Sequence, residues 1–276
     1  MGIEANLVKA FTKDKDQGNP AGVILNADGL TDKRMLEIAG KLGFSESVFI
    51  QESDKADYRF RFFSRKQEVG LCAHATIAGA YLLSEGRFSR YDIETRSGII
   101  AVVCHEDGLV TMDQKKPEFI DYKVRREDIA ELLRIDESDI QEYPLQIVST
   151  GTPKLMIPVR SLEVLFNIRP NMEGIKDYCE KTGARGFYPF TSETKENSDF
   201  HARQFNPLSG IDEDPITGVA AGALGAYMAK NKLSSKKRFL IEQGYIMNKA
   251  GKIFVDVSEG VKVGGYAVTY GKKPLE

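Results

Sequence analysis

Of the titratable side chains Glu46, His74 and Asp214, Glu46 is the one suited to move a proton beside a bound anion. The other two stand at the head of runs that suit such an anion. The run Ile211 to Met228 reads I-D-E-D-P-I-T-G-V-A-A-G-A-L-G-A-Y-M. Its Asp212, Glu213, Asp214, Pro215 and Thr217 are what a helix N-terminus asks for. The Ala and Gly that follow suit a helix packed tightly on all sides. A second small-residue run, Ala73 to Leu83, follows Cys72 and carries His74 in its first turn. Helix starts present bare amides and a positive dipole end, so the backbone N–H groups of Ala73, His74, Gly218 and Val219 predict a carboxylate pocket. A carboxylate held there makes the hydrogen on its neighbouring carbon more acidic, by stabilising enolate charge.

Such a pocket needs a proton shuttle, and Glu46 is the candidate. In the internal repeat described next, its counterpart is Gly186, and a feature confined to one half points to function rather than scaffold. Desolvation in a cleft would raise the carboxyl pKa toward the range a general acid/base needs. The competing reading is a turn residue that accepts a backbone bond. His74 offers an imidazole able to donate or accept, or a satisfied structural ring. Asp214 serves as a charge cap at its helix start. Cys72 raises the thiol alternative, but the repeat sets Thr217 opposite it, so a two-thiol racemase is disfavoured.

The elements that must position these groups come as a repeat. Lys41-Leu42-Gly43 is echoed by Lys181-Thr182-Gly183, and Arg61-Phe62-Phe63-Ser64 by Arg203-Gln204-Phe205-Asn206. Glu68 to Cys72 matches Glu213 to Thr217, and Gly79 to Leu82 matches Gly225 to Met228. Gly98-Ile99-Ile100 and Leu109 to Asp113 are echoed by Gly244-Tyr245-Ile246 and Lys252 to Asp256. The six matches keep one order, at an offset drifting from about 140 to about 146 residues. They predict an α+β chain of two pseudo-symmetric halves, 1–115 and 145–276, joined by a linker at 116–144 with a short helix around Asp128 to Leu133. Antiparallel strands would surround one small-residue helix in each half, and the two helix starts would face one cleft, a usual place for a ligand. Within the first half, Thr31 to Leu42 reads as an amphipathic helix capped at Thr31 and stopped by Gly43. Tyr58 to Phe63 alternates as a half-buried strand, and a hairpin turns at Glu106-Asp107-Gly108.

Composition narrows the function. With 42% hydrophobic and 28% charged residues the chain is an ordinary globular protein, and its 276 residues fit two domains. A net charge of −2 gives no footprint for nucleic acid. No apolar stretch approaches the ~20 residues of a membrane span, and Met1 to Asn6 carries no apolar signal region, so a cytoplasmic protein is expected. The three cysteines, Cys72, Cys104 and Cys179, form no paired spacing, and the latter two read as core filler. His74, His105 and His201 show no ligand spacing, so no metal is expected.

These residues carry a family resemblance. Ala10-Phe11-Thr12 with Gly18-Asn19-Pro20-Ala21, then Ser45-Glu46-Ser47-Val48-Phe49, Cys72-Ala73-His74-Ala75-Thr76, Arg96-Ser97-Gly98 and Glu213-Asp214-Pro215-Ile216-Thr217-Gly218 stand in one order over nearly the whole length. In that order they resemble the PhzF-like phenazine-biosynthesis/isomerase family, which shares the diaminopimelate-epimerase fold. The resemblance implies a barrel-like sheet around the central helix of each half, no cofactor, and homodimers. It implies an isomerase or epimerase of a small carboxylate, with Glu46 as acid/base assisted by His74 and Asp214, and with Asn19, Ala73, Thr76, Thr217, Gly218 and Val219 binding substrate. Ala73 stands where the family usually has Gly, and Val219 where it usually has Ser. The general isomerase reading carries over, and the phenazine substrate does not. A non-catalytic small-acid binding protein on the same fold is the alternative of a different class.

Overall fold

A computed structural model describes residues 3–275; Met1 and Gly2, where the N-terminal reading began, lie outside them. The chain forms two compact units, 1–113 with 264–276, and 114–263.

In the first unit the order is β1 (Ile3–Ala10), β2 (Asn19–Ile24), α1 (Asp32–Leu42), β3 (Glu46–Gln51), β4 (Tyr58–Ser64), β5 (Glu68–Val69), α2 (Ala73–Ser84), β6 (Ser89–Thr95), β7 (Gly98–Cys104) and β8 (Val110–Asp113). The second unit holds β9 (Glu118–Ile120), α3 (Arg126–Leu133), β10 (Gln146–Ser149), β11 (Lys154–Pro158), α4 (Leu162–Asn167), α5 (Met172–Thr182) and β12 (Phe187–Thr191). It continues with β13 (Phe200–Ala202), β14 (Gln204–Asn206), β15 (Ile211–Asp214), α6 (Gly218–Lys230), β16 (Arg238–Gln243) and β17 (Gly251–Asp256). After β18 (Lys262–Gly265) the last strand, β19 (Ala267–Leu275), pairs antiparallel with β1.

The α+β class and the wrapped central helix are as expected. Helix α2 packs against β1, β2, β3, β7, β8 and β19, and α6 against β10, β11, β16 and β17. Both are apolar all round, which is the signature of a helix enclosed by sheet rather than laid on it. The small residues are what let the sheet close in: a Cβ added to Gly225 would stand 2.6 Å from Val255 Cγ1. Among the described residues most strand pairs are antiparallel, yet each unit also holds parallel ones, β2–β3 and β4–β6 in the first, β11–β12 and β13–β16 in the second. Parallel neighbours need a crossover, and α1 between β2 and β3, like α5 in the segment joining β11 to β12, supplies it.

Helix α1 begins and ends where local signals put it. Thr31 Oγ1 accepts from the Arg34 N–H at 3.3 Å, and Gly43 closes the helix at φ 78°. Helix α5 repeats this with Asn171 and with Gly183, also at φ 78°.

Two expectations change. Asp212, Glu213 and Asp214 do not form the first turn of a helix; they lie in β15, where Glu213 pairs with Phe205 and Asp214 with Gln204 of β14. Pro215 follows the strand, and the helix starts only at Gly218. The segment expected as a linker, 116–144, belongs to the second unit, since Ile129 and Leu133 of α3 are fully buried with Leu155, Ile175 and Phe187. The C-terminal stretch from Gly264 in turn belongs to the first unit.

Candidate active site

The first unit gathers three reactive side chains at the start of α2. Cys72 is the N-cap residue and His74 lies in the first turn. Glu46 opens β3, which runs parallel to β2 and antiparallel to β4, so the sheet register fixes where its side chain starts. Glu46 Oε2 lies 3.8 Å from His74 Nε2 and 3.8 Å from Cys72 Sγ. Cys72 Sγ is 3.2 Å from His74 Nδ1, within hydrogen-bond range for sulfur. The Glu46 side chain is 21% exposed and that of His74 7%. Burial raises the Glu46 carboxyl above its usual range, against the lowering effect of bonds from Ser45 and Cys72. A partly buried carboxyl next to an imidazole can accept and return a proton.

Three of the residues expected to bind substrate lie nearby in the same unit. Ala73 is the first residue of α2 and Asn19 the first of β2, both buried. Thr76 is fully buried, and its hydroxyl donates to the Cys72 carbonyl at 2.8 Å, which ties it to the helix start itself.

In the second unit Asp214, Thr217, Gly218 and Val219 sit together at the start of α6. The Thr217 hydroxyl donates to Asp214 Oδ2 at 2.5 Å, so Thr217 orients the carboxylate instead of capping its own helix. A Cβ added to Gly151 would stand 3.7 Å from Val219 Cγ1, and the Val219 carbonyl accepts from Thr150 Oγ1 at 3.1 Å. Neither central helix has a side-chain bond from its N-cap residue, nor does α3, whereas α1, α4 and α5 do.

Several residues of this second group were not singled out from the sequence. Gln243 Nε2 donates to the Asp214 carbonyl at 2.9 Å, while its Oε1 accepts from the Thr217 N–H at 3.3 Å and from the Tyr188 hydroxyl at 3.1 Å. That clamp fixes the turn through Pro215. Lys154 is buried, and its Nζ donates to the Arg185 carbonyl at 3.2 Å and to Asn206 Oδ1 at 3.3 Å. Burial pushes its amine down to about 8, opposed by the attraction of the Asp214 carboxylate. A signal for Lys154 was available: Gly18-Asn19-Pro20-Ala21 leads into β2 as Gly151-Thr152-Pro153-Lys154 leads into β11. The strand pairings give the same equivalence, since Gly22 faces Ser47 and Leu155 faces Phe187.

The repeat extends to part-buried ion pairs. Arg61 grips Glu68 through Nε at 2.9 Å and Nη2 at 2.8 Å, and Arg203 grips Glu213 in the same two-pronged way at 2.8 and 2.8 Å. Cys104 and Cys179 are buried, and burial pushes each thiol up to about 11. Cys72 is thus the thiol at the site. Glu46, Cys72 and His74 place three potential metal donors within 4.8 Å of one another. Among the described residues no helix is long and apolar enough to cross a membrane.

Comparison with known proteins agrees with this architecture. Residues 8–272 match the model of the PhzC-PhzF family, described as phenazine biosynthesis-like protein. The chain is 37% identical to the uncharacterized isomerase YfhB of Bacillus subtilis, covering 93% of this chain and 92% of that protein. It is 40% identical to an uncharacterized isomerase of Clostridium acetobutylicum, covering 97% and 96%. The crystal structure of a PhzF-family phenazine biosynthesis protein from Bacillus anthracis superposes with a TM-score of 0.90 at 32% identity, covering 100% of this chain and 99% of that one. A hydroxyproline epimerase from Agrobacterium vitis shares the fold alone, with a TM-score of 0.66 at 13% identity. The chain therefore belongs to the PhzC-PhzF phenazine biosynthesis-like family, and it is an enzyme of the isomerase class.

Proposed function

We infer that the protein is a cofactor-independent isomerase or epimerase of a small carboxylate, in which Glu46 moves a proton between carbons. The observation that carries this reading is the seat of Glu46. Its carboxyl lies 3.8 Å from His74 Nε2, beside the start of α2, in the one unit that has a carboxyl at this position. In the other unit that position is Gly186. The Glu46 carboxylate takes the hydrogen next to the substrate carboxylate as a proton, and the electron pair passes into an enolate. The same carboxyl, once its proton has exchanged with solvent, then delivers a proton to another carbon on that face; inversion at the same carbon needs a second acid on the opposite face. Amides of Ala73 and His74 favour the anion, as helix starts do. Asn19 and Thr76 of the first unit are assigned to substrate binding, as are Thr217, Gly218 and Val219 of the second. Asp214, held by Thr217 and Gln243, assists.

Homodimeric assembly in the cytoplasm is part of the same proposal, and sedimentation of the purified protein tests the dimer. For the chemistry, Glu46→Gln keeps the shape and removes the base. It is expected to lower turnover at least about 100-fold while ligand binding and melting temperature stay nearly unchanged. Unaltered turnover would rule out the assignment. Ligand binding without turnover by the natural protein, over a broad panel of small acids, would instead favour a binding protein on this fold.

A further inference from the structure

We propose that Glu46, Cys72 and His74 form a three-donor seat for a thiophilic divalent cation, with Zn2+ as the representative ion. The three side chains supply one sulfur, one imidazole nitrogen and one carboxylate oxygen. Cys72 Sγ lies 3.8 Å from Glu46 Oε2, Glu46 Oε2 lies 3.8 Å from His74 Nε2, and His74 Nε2 lies 3.9 Å from Cys72 Sγ. This is a nearly equilateral triangle. A point equidistant from its corners lies about 2.2 Å from each, which matches zinc's bonds of about 2.3 Å to sulfur and about 2.0–2.2 Å to nitrogen and oxygen. Seating an ion requires the His74 ring to turn, because Cys72 Sγ lies nearer Nδ1, at 3.2 Å, than Nε2, at 3.9 Å. Among the described residues no second set of three such donors comes together.

The donor types select the class of ion. A thiolate favours soft or borderline cations over Mg2+ and Ca2+, which prefer all-oxygen sites. A carboxylate and a thiolate together offset the charge of a divalent ion. The equidistant point lies in the plane of the three donors, so the donors must draw slightly together before the ion can take water or the carboxylate of a ligand as a fourth, tetrahedral partner. With the seat occupied, the Glu46 oxygen is committed to the ion and cannot take a proton, so the cation silences the enzyme. Binding stands on the three donors alone; only the silencing rests on the acid/base reading of Glu46.

Titration of the chelator-treated, thiol-reduced full chain with Co2+ tests the seat without any substrate. The expected result is one equivalent of Co2+ with a near-ultraviolet thiolate-to-cobalt charge-transfer band, erased by one equivalent of Zn2+. Cys72→Ser is expected to lose that band, and Glu46→Gln to keep it while Zn2+ affinity falls about 10-fold or more. Should Cys72→Ser fail to fold, His74→Gln must weaken Zn2+ by a similar factor; unchanged affinity overturns the proposal. No charge-transfer band at one equivalent in the natural chain overturns it as well. So does a band that persists in Cys72→Ser, which would place the ion at Cys104 or Cys179. Solvent deuterium exchange into substrate by the metal-free chain reads the acid/base assignment separately, so either claim can fail alone.

Discussion

Lys154 Nζ lies 3.2 Å from where a Cβ on Gly186 would stand, and Gly186 is the counterpart of Glu46 in the internal repeat. Where the first unit presents a carboxyl, the second has a bare backbone with a buried ammonium beside it. The two halves share a scaffold and have opposite chemistry at this one position. A carboxyl could not be added back: the Gly186 Cβ would also stand 2.4 Å from the Phe205 carbonyl oxygen, and Gly186 has φ 151°.

Gly186→Ala is therefore expected to destabilise the protein by about 2 kcal/mol or more, through backbone strain and the close carbonyl. Glycine-to-alanine at Gly40, where an added Cβ meets nothing within 4 Å, is the control and should be neutral or stabilising. Urea unfolding of the two variants checks this; equal midpoints would contradict it.

The buried amine of Lys154 predicts a pH dependence. Its folded value of about 8 lies below the usual 10.5, so the unfolded chain binds more protons between those values, and stability rises with pH across that window. Lys154→Met removes the charge and keeps most of the volume. Its stability advantage over the natural chain should be largest below pH about 8 and shrink by up to about 3 kcal/mol as pH rises toward about 10.5. A difference that stays constant with pH, in parallel urea titrations, would show that the amine is not held down by burial.

Much of this was legible in the sequence, and the parts that were not share a cause. Thr31 and Gly43 gave α1 its ends because caps act within one turn of the chain. Glu46 stood out because the repeat aligned it with a glycine. The acidic residues before α6 were misjudged because β15 exists through its pairing with β14, a partner that local propensity does not reveal. The segment 116–144 looked like a linker because Ile129 and Leu133 bury against strands distant in sequence. Lys154 was passed over because its match to Ala21 runs at a shorter offset than the other repeat pieces. Gln243 closes its turn from 26 residues away, at Thr217, and no spacing rule anticipates that.

The repeated arginine grips differ in depth. Arg203 Nη1 also donates to the carbonyls of Leu165 and Ile168 at the end of α4, at 2.9 and 3.1 Å, and its side chain is 6% exposed. Arg61 Nη1 instead donates to the exposed Asp32 at 2.8 Å. Arg203→Ala leaves a carboxylate and two carbonyls short of partners inside the unit, and should cost about 3–5 kcal/mol, clearly more than Arg61→Ala. Denaturant midpoints of the two variants decide the order, and a reversed order would contradict the account.

Glu242 is fully buried and accepts from the Lys195 and Glu196 N–H groups at 2.8 and 2.7 Å, with His201 Nδ1 at 2.9 Å. Burial pushes its carboxyl up, but the bonds from His201, Lys195 and Glu196 outweigh that and hold it at about 2. Its contribution is thus present above the usual 4.5 and is lost as pH falls from there through about 2. Glu242→Gln should lower stability at neutral pH and flatten the acid limb of the melting-temperature profile over that window. A limb as steep as that of the natural chain would contradict this.

Central to the account is proton transfer by Glu46, and solvent deuterium incorporation measures it most directly. Small carboxylic acids bearing a hydrogen on the carbon next to the carboxyl, incubated with metal-free enzyme in D2O, should yield a substrate labelled at that carbon. Glu46→Gln should slow that labelling at least about 100-fold. Labelling by Glu46→Gln at the natural rate, or product formed by the natural chain with no deuterium at the reacting carbon even after many turnovers, would contradict it.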